Sequence, residues 1–181
     1  MTKELFETAV KDGRPVCYYL FRDLGLGKDC KYFVETGTHE GHSVQFALDL
    51  GFEEILSCEF MTDRYTGCMN RFSNNDNVSL WCGTSIDSLP GMLEQVDKRS
   101  CFWLDAHDEG GGVPTFEEVS LIKEHSIKDH TIIIDDVPTY FSGKEKKLED
   151  VLLSINPDYT LKYYKSINPV SYTHLTLPTK A

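Results

Sequence analysis

The chain has 181 residues, 40% apolar and 26% charged, which is enough for one soluble domain with a sizeable core. Its net charge of −11 argues against a general nucleic-acid surface, which would be basic, and tolerates a cationic ligand. There is no run of ~18 apolar residues to cross a membrane, and Met1–Glu7 lacks a signal-peptide core, so a cytoplasmic protein with no membrane partner is expected; oligomeric state is not legible.

In chain order, residues 4–24 carry two helical patterns, the second opened by Pro15 and ended by Gly25 or Gly27. Tyr32-Phe33-Val34 reads as a strand entering the turn Glu35-Thr36-Gly37-Thr38-His39-Glu40-Gly41. A helix follows with Val44, Ala47, Leu48 and Leu50 apolar, and Gly51 is its C-cap. Glu54–Glu59 is the next strand. This is a βαβ unit in which glycines let a nucleotide approach the backbone at a helix N-terminus. Glu59 lies 18 residues after Gly41, near the ~20 expected of an acid that takes ribose hydroxyls.

Further along, Met61–Phe72 is predicted helical and Ser73–Asn77 breaks it. Val78–Cys82 is a third strand, Ile86–Val96 a helix with Pro90 in its first turns, and Cys101–Leu104 a fourth strand ending at Asp105. Asp108–Pro114 is a Gly-rich loop, Phe116–His125 a helix, and Thr131–Ile134 a fully apolar fifth strand ending at Asp135-Asp136. Lys146–Ile155 is a last helix and Tyr159–Tyr164 a sixth strand. Apolar strands alternating with helices predict an α/β fold, with a Rossmann-like, mostly parallel sheet covered on both faces. Ligands bind beyond the C-terminal strand ends in such sheets, and Glu35, Glu59, Asp105, Asp135 and Asp136 all stand there.

The six cysteines, Cys17, Cys30, Cys58, Cys68, Cys82 and Cys101, form no C-x-x-C pair. They are expected to be reduced, buried or half-buried thiols. Val170–Ala181 does not continue the apolar pattern. Its run VSYTHLTLPT resembles the translation of a transposon-derived sequencing adaptor. The expected organisation is therefore one domain over 1–169, with its core at 30–165, and a non-native tail over 170–181. The tail is expected to lie loosely or to serve as a makeshift strand beside Tyr159–Tyr164.

The pattern Glu35-Thr36-Gly37-x-x-x-Gly41-x-Ser43, followed by Glu59, Asp105 and Asp135-Asp136, resembles class I S-adenosylmethionine-dependent methyltransferases over roughly Tyr32–Tyr164. It differs from the dinucleotide fingerprint G-x-G-x-x-G in its acidic first position and wider glycine spacing. The resemblance implies S-adenosyl-L-methionine as cofactor. It places Glu35, Thr36, Gly37, Gly41 and Ser43 at the amino-acid part, Glu59 on the ribose, Gly83, Thr84 and Ser85 beside the adenine, and Asp105 on the cofactor. It also implies a final hairpin with an antiparallel seventh strand, here missing or replaced by the tail. A narrower similarity, to metal-dependent small-molecule O-methyltransferases, puts Asp105, Asp135 and Asp136 at a Mg²⁺ site. The run Phe102–His107 with its Gly-rich loop also looks like a bacterial branch of the superfamily.

Methyl transfer from a sulfonium is an in-line displacement that needs alignment and exclusion of water, with no covalent nucleophile. The acceptor proton needs a base or a metal. Asp105, His107 and Asp135 are the candidate catalytic residues. An imidazole with its ordinary pKa of ~6.5 suits a base, and three carboxylates suit Mg²⁺. Plainer roles stand beside these. Glu35 could accept hydrogen bonds from the glycine turn, Asp105 and Asp135 could cap helices, and His107 could be a polar loop residue. His39 and His42 read as turn and helix-start residues. Tyr140 and Phe141 could line an acceptor pocket or pack the sheet edge, and Lys144, Lys146 and Lys147 read as a solvated helix start. The expected function is methyl transfer to a small-molecule acceptor at oxygen. A non-catalytic binding module of the same fold and a nucleotide-dependent oxidoreductase are the alternatives.

Overall fold

A computed structural model describes residues 27–107, 110–165 and 172–178. The two N-terminal helical patterns lie outside the described residues. Five strands, β1 (Tyr32–Thr36), β2 (Glu54–Glu59), β3 (Val78–Cys82), β4 (Ser100–Leu104) and β5 (Thr131–Ile134), run parallel. With β6 (Tyr159–Lys165) and β7 (Tyr172–Pro178) they form one sheet in the order β3-β2-β1-β4-β5-β7-β6. The order reverses between β1 and β4, which leaves a crevice at their C-terminal ends.

The last strand is not missing. Tyr172–Pro178 lies antiparallel to both β5 and β6, pairing with β6 from Tyr159↔Pro178 to Lys165↔Tyr172. Its ladder to β5 spans Ile132↔Thr176 to Ile134↔His174. The tail thus stands in the interior of the sheet, beside Tyr159–Tyr164 on one side and β5 on the other.

Helices His42–Leu50, Thr62–Arg71, Ser85–Leu93, Thr115–Glu124, Val137–Tyr140 and Glu145–Ile155 connect the strands. Most lie within a residue or two of their predicted bounds. The helix predicted to Val96 stops at Leu93, and the short Val137–Tyr140 helix has no sequence period because it is a single turn. Gly51 does end its helix: at φ 81° it donates its N–H to Leu48 O at 3.0 Å.

Successive residues of β1 face opposite layers. Tyr32 and Val34 join Leu56, Phe102, Leu104 and Ile132 under helices Ser85–Leu93, Thr115–Glu124 and Glu145–Ile155. Phe33 joins Val44, Phe46, Ile55 and Trp103 on the other face. β1, β4 and β5 are buried throughout, as two-sided coverage requires. Truncating a core ring such as the fully buried Phe102 to alanine would cost about 3–5 kcal/mol. β3 is one edge strand and half-exposed; Cys82 at its end is exposed, against the expectation for the cysteines, whereas Cys58, Cys68 and Cys101 are buried free thiols.

At the opposite end of β4 two imidazoles make a closed chain. The Ser100 N–H donates to His130 Nδ1 at 3.1 Å, which leaves the His130 proton on Nε2, facing His125 Nδ1 at 3.1 Å. The remaining His125 nitrogen, Nε2, then donates to Val96 O at 3.1 Å. Burial first, and then His125, push His130 down to about 3.

Candidate functional site

A cavity of about 950 Å³ opens at the C-terminal ends of β1, β2, β3 and β4. Gly37, His39, Glu59, Gly83, Thr84, Ser85, Asp105 and His107 line it, with Met61 and Arg64. The crevice lies where a parallel sheet with this strand order offers backbone ends and no side-chain layer.

Glu59 is the best-held acid of the cavity. It is 6% exposed. Its Oε2 accepts the His39 N–H at 2.7 Å and its Oε1 the Met61 N–H at 2.7 Å. Each carboxylate oxygen keeps a lone pair for a ligand hydroxyl. His39 is more than a turn residue, because its backbone, at φ 51°, aims this N–H.

Gly37 is needed where β1 meets β4. At φ 91°, a Cβ there would stand 2.8 Å from Asp105 O and 3.2 Å from Ala106 Cα. Gly41 serves a different purpose from the ligand approach its spacing implied. A Cβ there would meet the Phe72 ring at 2.6 Å, so this glycine seats the turn against the end of helix Thr62–Arg71.

Glu35 is the main departure from the predicted turn. β1 continues to Thr36, which pairs Glu35 with Ser57 and Trp103 and leaves it fully buried. Its carboxyl accepts from Ser43 Oγ, and from Ser57 Oγ at 2.6 Å. Desolvation outweighs these bonds and raises it to about 7. Glu35, Thr36, Gly41 and Ser43 therefore stand behind the cavity wall, whereas Gly37, Glu59, Gly83, Thr84, Ser85 and Asp105 are on it. The Thr84 side chain caps helix Ser85–Leu93, accepting the Asp87 N–H at 3.2 Å.

At the far end of the cavity, Asp105, His107 and Asp136 offer ligand atoms within 4.8 Å of one another. Neither Asp105 nor Asp135 is a helix cap. The next helix after Asp105 begins beyond Pro114, and Asp135 Oδ1 accepts the Asp136 N–H at 2.8 Å. Asp136 is at φ 51°, a strained backbone for an aspartate, and its Oδ2 stands 3.7 Å from His107 Nε2. Burial, and then Asp135, Glu35 and Asp136, hold the Asp105 carboxyl well above the usual range. The Tyr140 ring meets His107 edge-on at 5.2 Å, while Phe141 is 1% exposed and packs on Phe116. Lys147 lies over the Phe116 ring at 4.4 Å, so it is not simply solvated.

Sequence reading missed Met61, Arg64 and the buried Glu118. The first two follow Glu59, and their helix period could have pointed one face at the cavity. Nothing in the local sequence marks Glu118.

No family model matches the chain, and no curated protein does. Solved structures do. The O-methyltransferase from Bacillus cereus, in complex with SAH, superposes with a TM-score of 0.65 at 14% identity, covering 97% of this chain and 89% of that one. The O-methyltransferase TomG from Streptomyces achromogenes, involved in tomaymycin synthesis and in complex with SAM, gives 0.66 at 12% identity, with 96% and 87% covered. An rRNA methylase from Streptococcus thermophilus gives 0.59 at 11%, with 84% and 89% covered. At these identities the likeness is one of fold, and the chain has the Rossmann-like α/β fold of class I methyltransferases.

Proposed function

We propose that the protein transfers a methyl group from S-adenosyl-L-methionine to an oxygen of a small-molecule acceptor. Glu59 carries the reading: a buried carboxylate, fixed by two backbone N–H groups, with lone pairs left over, on the wall of a cavity large enough for the cofactor. The O-methyltransferases of the same fold that bind SAH or SAM support it.

The residues present fit the cofactor. Glu59 would take the ribose hydroxyls, Gly37 leaves backbone space beside Asp105, and Thr84-Ser85-Ile86 would flank the adenine. When bound, the cofactor supplies an electrophilic methyl on sulfur. The chain aligns the acceptor against it and excludes water. His107 lines the cavity and would take the acceptor proton, with Asp136 beside its Nε2 to balance the charge it gains. Tyr140 orients that ring from its edge.

A divalent cation is the second reading, favoured by the Asp105–His107–Asp136 cluster. Two carboxylates with an imidazole suit Mn²⁺ or Zn²⁺ better than Mg²⁺, which prefers oxygen ligands throughout.

Calorimetry with S-adenosylhomocysteine tests the cofactor site. Micromolar binding, lost in Glu59→Ala, is expected; no binding by the wild type would overturn the reading. The charge of −11 favours a small acceptor over nucleic acid, and methyl transfer to catechols against transfer to RNA separates the two.

A further inference from the structure

Behind the cavity wall lies a carboxyl that the proposed chemistry does not yet use. Glu118 belongs to the first turn of helix Thr115–Glu124 and is fully buried. The side chains of Ser85 and Thr36 hydrogen-bond to it, and burial outweighs them to raise it to about 7. A carboxyl keeps an acceptor oxygen whether or not it is ionised, so Glu118 can take the Thr36 hydroxyl proton in either state. Strand side chains alternate between faces: Thr36, at the end of β1, reaches the helix layer that holds Glu118, while Glu35 beside it faces the other.

Thr36 has a single hydroxyl proton, and the bond to Glu118 directs it. The Oγ1 lone pairs are then left for the Asp105 N–H, which stands 3.3 Å away and also meets Thr36 O at 3.2 Å. On the other side of the same residue, the Asp105 carbonyl faces His107 Nδ1 at 3.2 Å. A carbonyl offers no proton, so the neutral ring carries its hydrogen on Nδ1 and its lone pair on Nε2. Nε2 is the nitrogen beside Asp136 Oδ2. The Asp105 backbone thereby joins two fully buried side chains, Thr36 and Glu118, to an imidazole that lines the cavity.

We propose that Glu118 is a positioning residue for His107: through Thr36 it holds the Asp105 peptide, whose carbonyl keeps the imidazole hydrogen on Nδ1 and leaves Nε2 free to take the proton that the acceptor hydroxyl gives up. The inference rests on the reading of His107 as the base and adds the buried group that sets its tautomer. With an apolar side chain at position 118, the Thr36 hydroxyl proton turns to a backbone carbonyl instead. Its lone pairs then leave the Asp105 N–H, and the peptide loses that hold. The His107 ring samples both tautomers, and the fraction with its hydrogen on Nε2 cannot act as base.

The test is nitrogen NMR of the neutral His107 ring in metal-free protein, with methyl transfer to catechol and S-adenosylhomocysteine calorimetry, on the wild type, Glu118→Leu, Glu118→Gln and Thr36→Val. The wild type should show one tautomer, with its hydrogen on Nδ1. Glu118→Leu and Thr36→Val should show both tautomers and a kcat lower by about tenfold or more, with S-adenosylhomocysteine affinity within a few fold. Glu118→Gln should keep the wild-type tautomer and most of the kcat, because its amide oxygen still accepts the Thr36 proton. A wild-type tautomer retained in Glu118→Leu overturns the inference. So does a loss of kcat matched by an equal loss of ligand affinity, which marks a structural residue. If Glu118→Leu does not fold, Thr36→Val, which keeps the side-chain shape, decides by the same readings. Where catechol is not turned over, the tautomer decides alone. His107→Ala with unchanged kcat overturns the base reading itself, whereas a wild type with its hydrogen on Nε2 overturns only the relay.

Discussion

The His39 N–H donates to Glu59 Oε2 at 2.7 Å, so the apex of the glycine turn and the acid that ends β2 are one rigid unit. Neither residue reaches the other by sequence proximity; the parallel pairing of β1 with β2 brings them together. The ribose site is preorganised by this bond and by the Met61 N–H on the other oxygen. Replacing Glu59 by alanine leaves both N–H groups without their acceptor. S-adenosylhomocysteine affinity should fall at least tenfold by calorimetry. Stability should fall by about 1–3 kcal/mol in urea unfolding, the usual effect of orphaned buried groups.

The two turn glycines should respond differently to alanine. Gly37→Ala forces a positive φ on a Cβ and drives it onto Asp105 O, 2.8 Å away. Strain and overpacking together should cost about 2–5 kcal/mol and displace Asp105, so activity falls as well. Gly41→Ala also takes a positive φ, 75°, but its Cβ meets side chains rather than backbone, the Phe72 ring at 2.6 Å and Cys68 Sγ at 3.2 Å. Phe72→Leu should restore part of its stability and none of that of Gly37→Ala, which a double-mutant comparison by thermal unfolding would read.

Stability should have opposing pH slopes with separate origins. His130 is held down to about 3 from its ordinary 6.5. The unfolded chain then binds more protons between those values, and the His130 contribution is present above pH 6.5 and lost as pH falls toward 3. Glu35 and Glu118 are raised to about 7 from 4.5. For them the folded chain binds more protons, so their contribution is present below pH 4.5 and is lost as pH rises through 7. Glu35→Gln keeps an acceptor oxygen for one of the two serine hydroxyls, presents its NH2 to the other oxygen as donor, and cannot ionise. It should flatten the alkaline slope and raise stability at pH 8 by on the order of 2–3 kcal/mol, measured by urea unfolding across pH.

If His107 takes the acceptor proton, His107→Ala should lower kcat by about 10²–10⁴ while leaving S-adenosylhomocysteine affinity within a few fold. Asp136→Asn should act in the same direction and less strongly. Loss of activity on chelation, restored by Mn²⁺, would instead assign Asp105, His107 and Asp136 to a cation.

Ending the chain at Pro169 removes β7 from between β5 and β6 and strips the ladder from Ile132 to Ile134. The truncated chain should unfold below the full chain by more than 10 °C, or aggregate through the opened β5 edge. We propose that the tail, through Tyr172–Pro178, fills this place as a substitute for a native strand. A chain carrying the natural continuation of the gene in their place should then be the more stable of the two.

The local pattern settled much of the architecture. Apolar runs at 32–34, 101–104 and 131–134, alternating with helical periods, can be buried on both sides only in a parallel sheet. Gly51 ended its helix because the left-handed C-cap is a local demand. The acids at strand ends were legible because each is fixed by where its own strand stops. Glu35 was misplaced in the turn because the end of β1 depends on pairing with Ser57 and Trp103, far off in sequence. Gly41 looked like a ligand-facing glycine until Phe72 was seen against it. Glu118 was invisible, since a glutamate in a helical pattern reads as exposed, and only the packing of its helix over Thr36 and Ser85 buries it. The sequence by itself determined which segments form strands and which acids end them. The tertiary structure alone decided which of those acids face the cavity, because burial and hydrogen-bond partners come from neighbouring strands and helices rather than from neighbours in the chain.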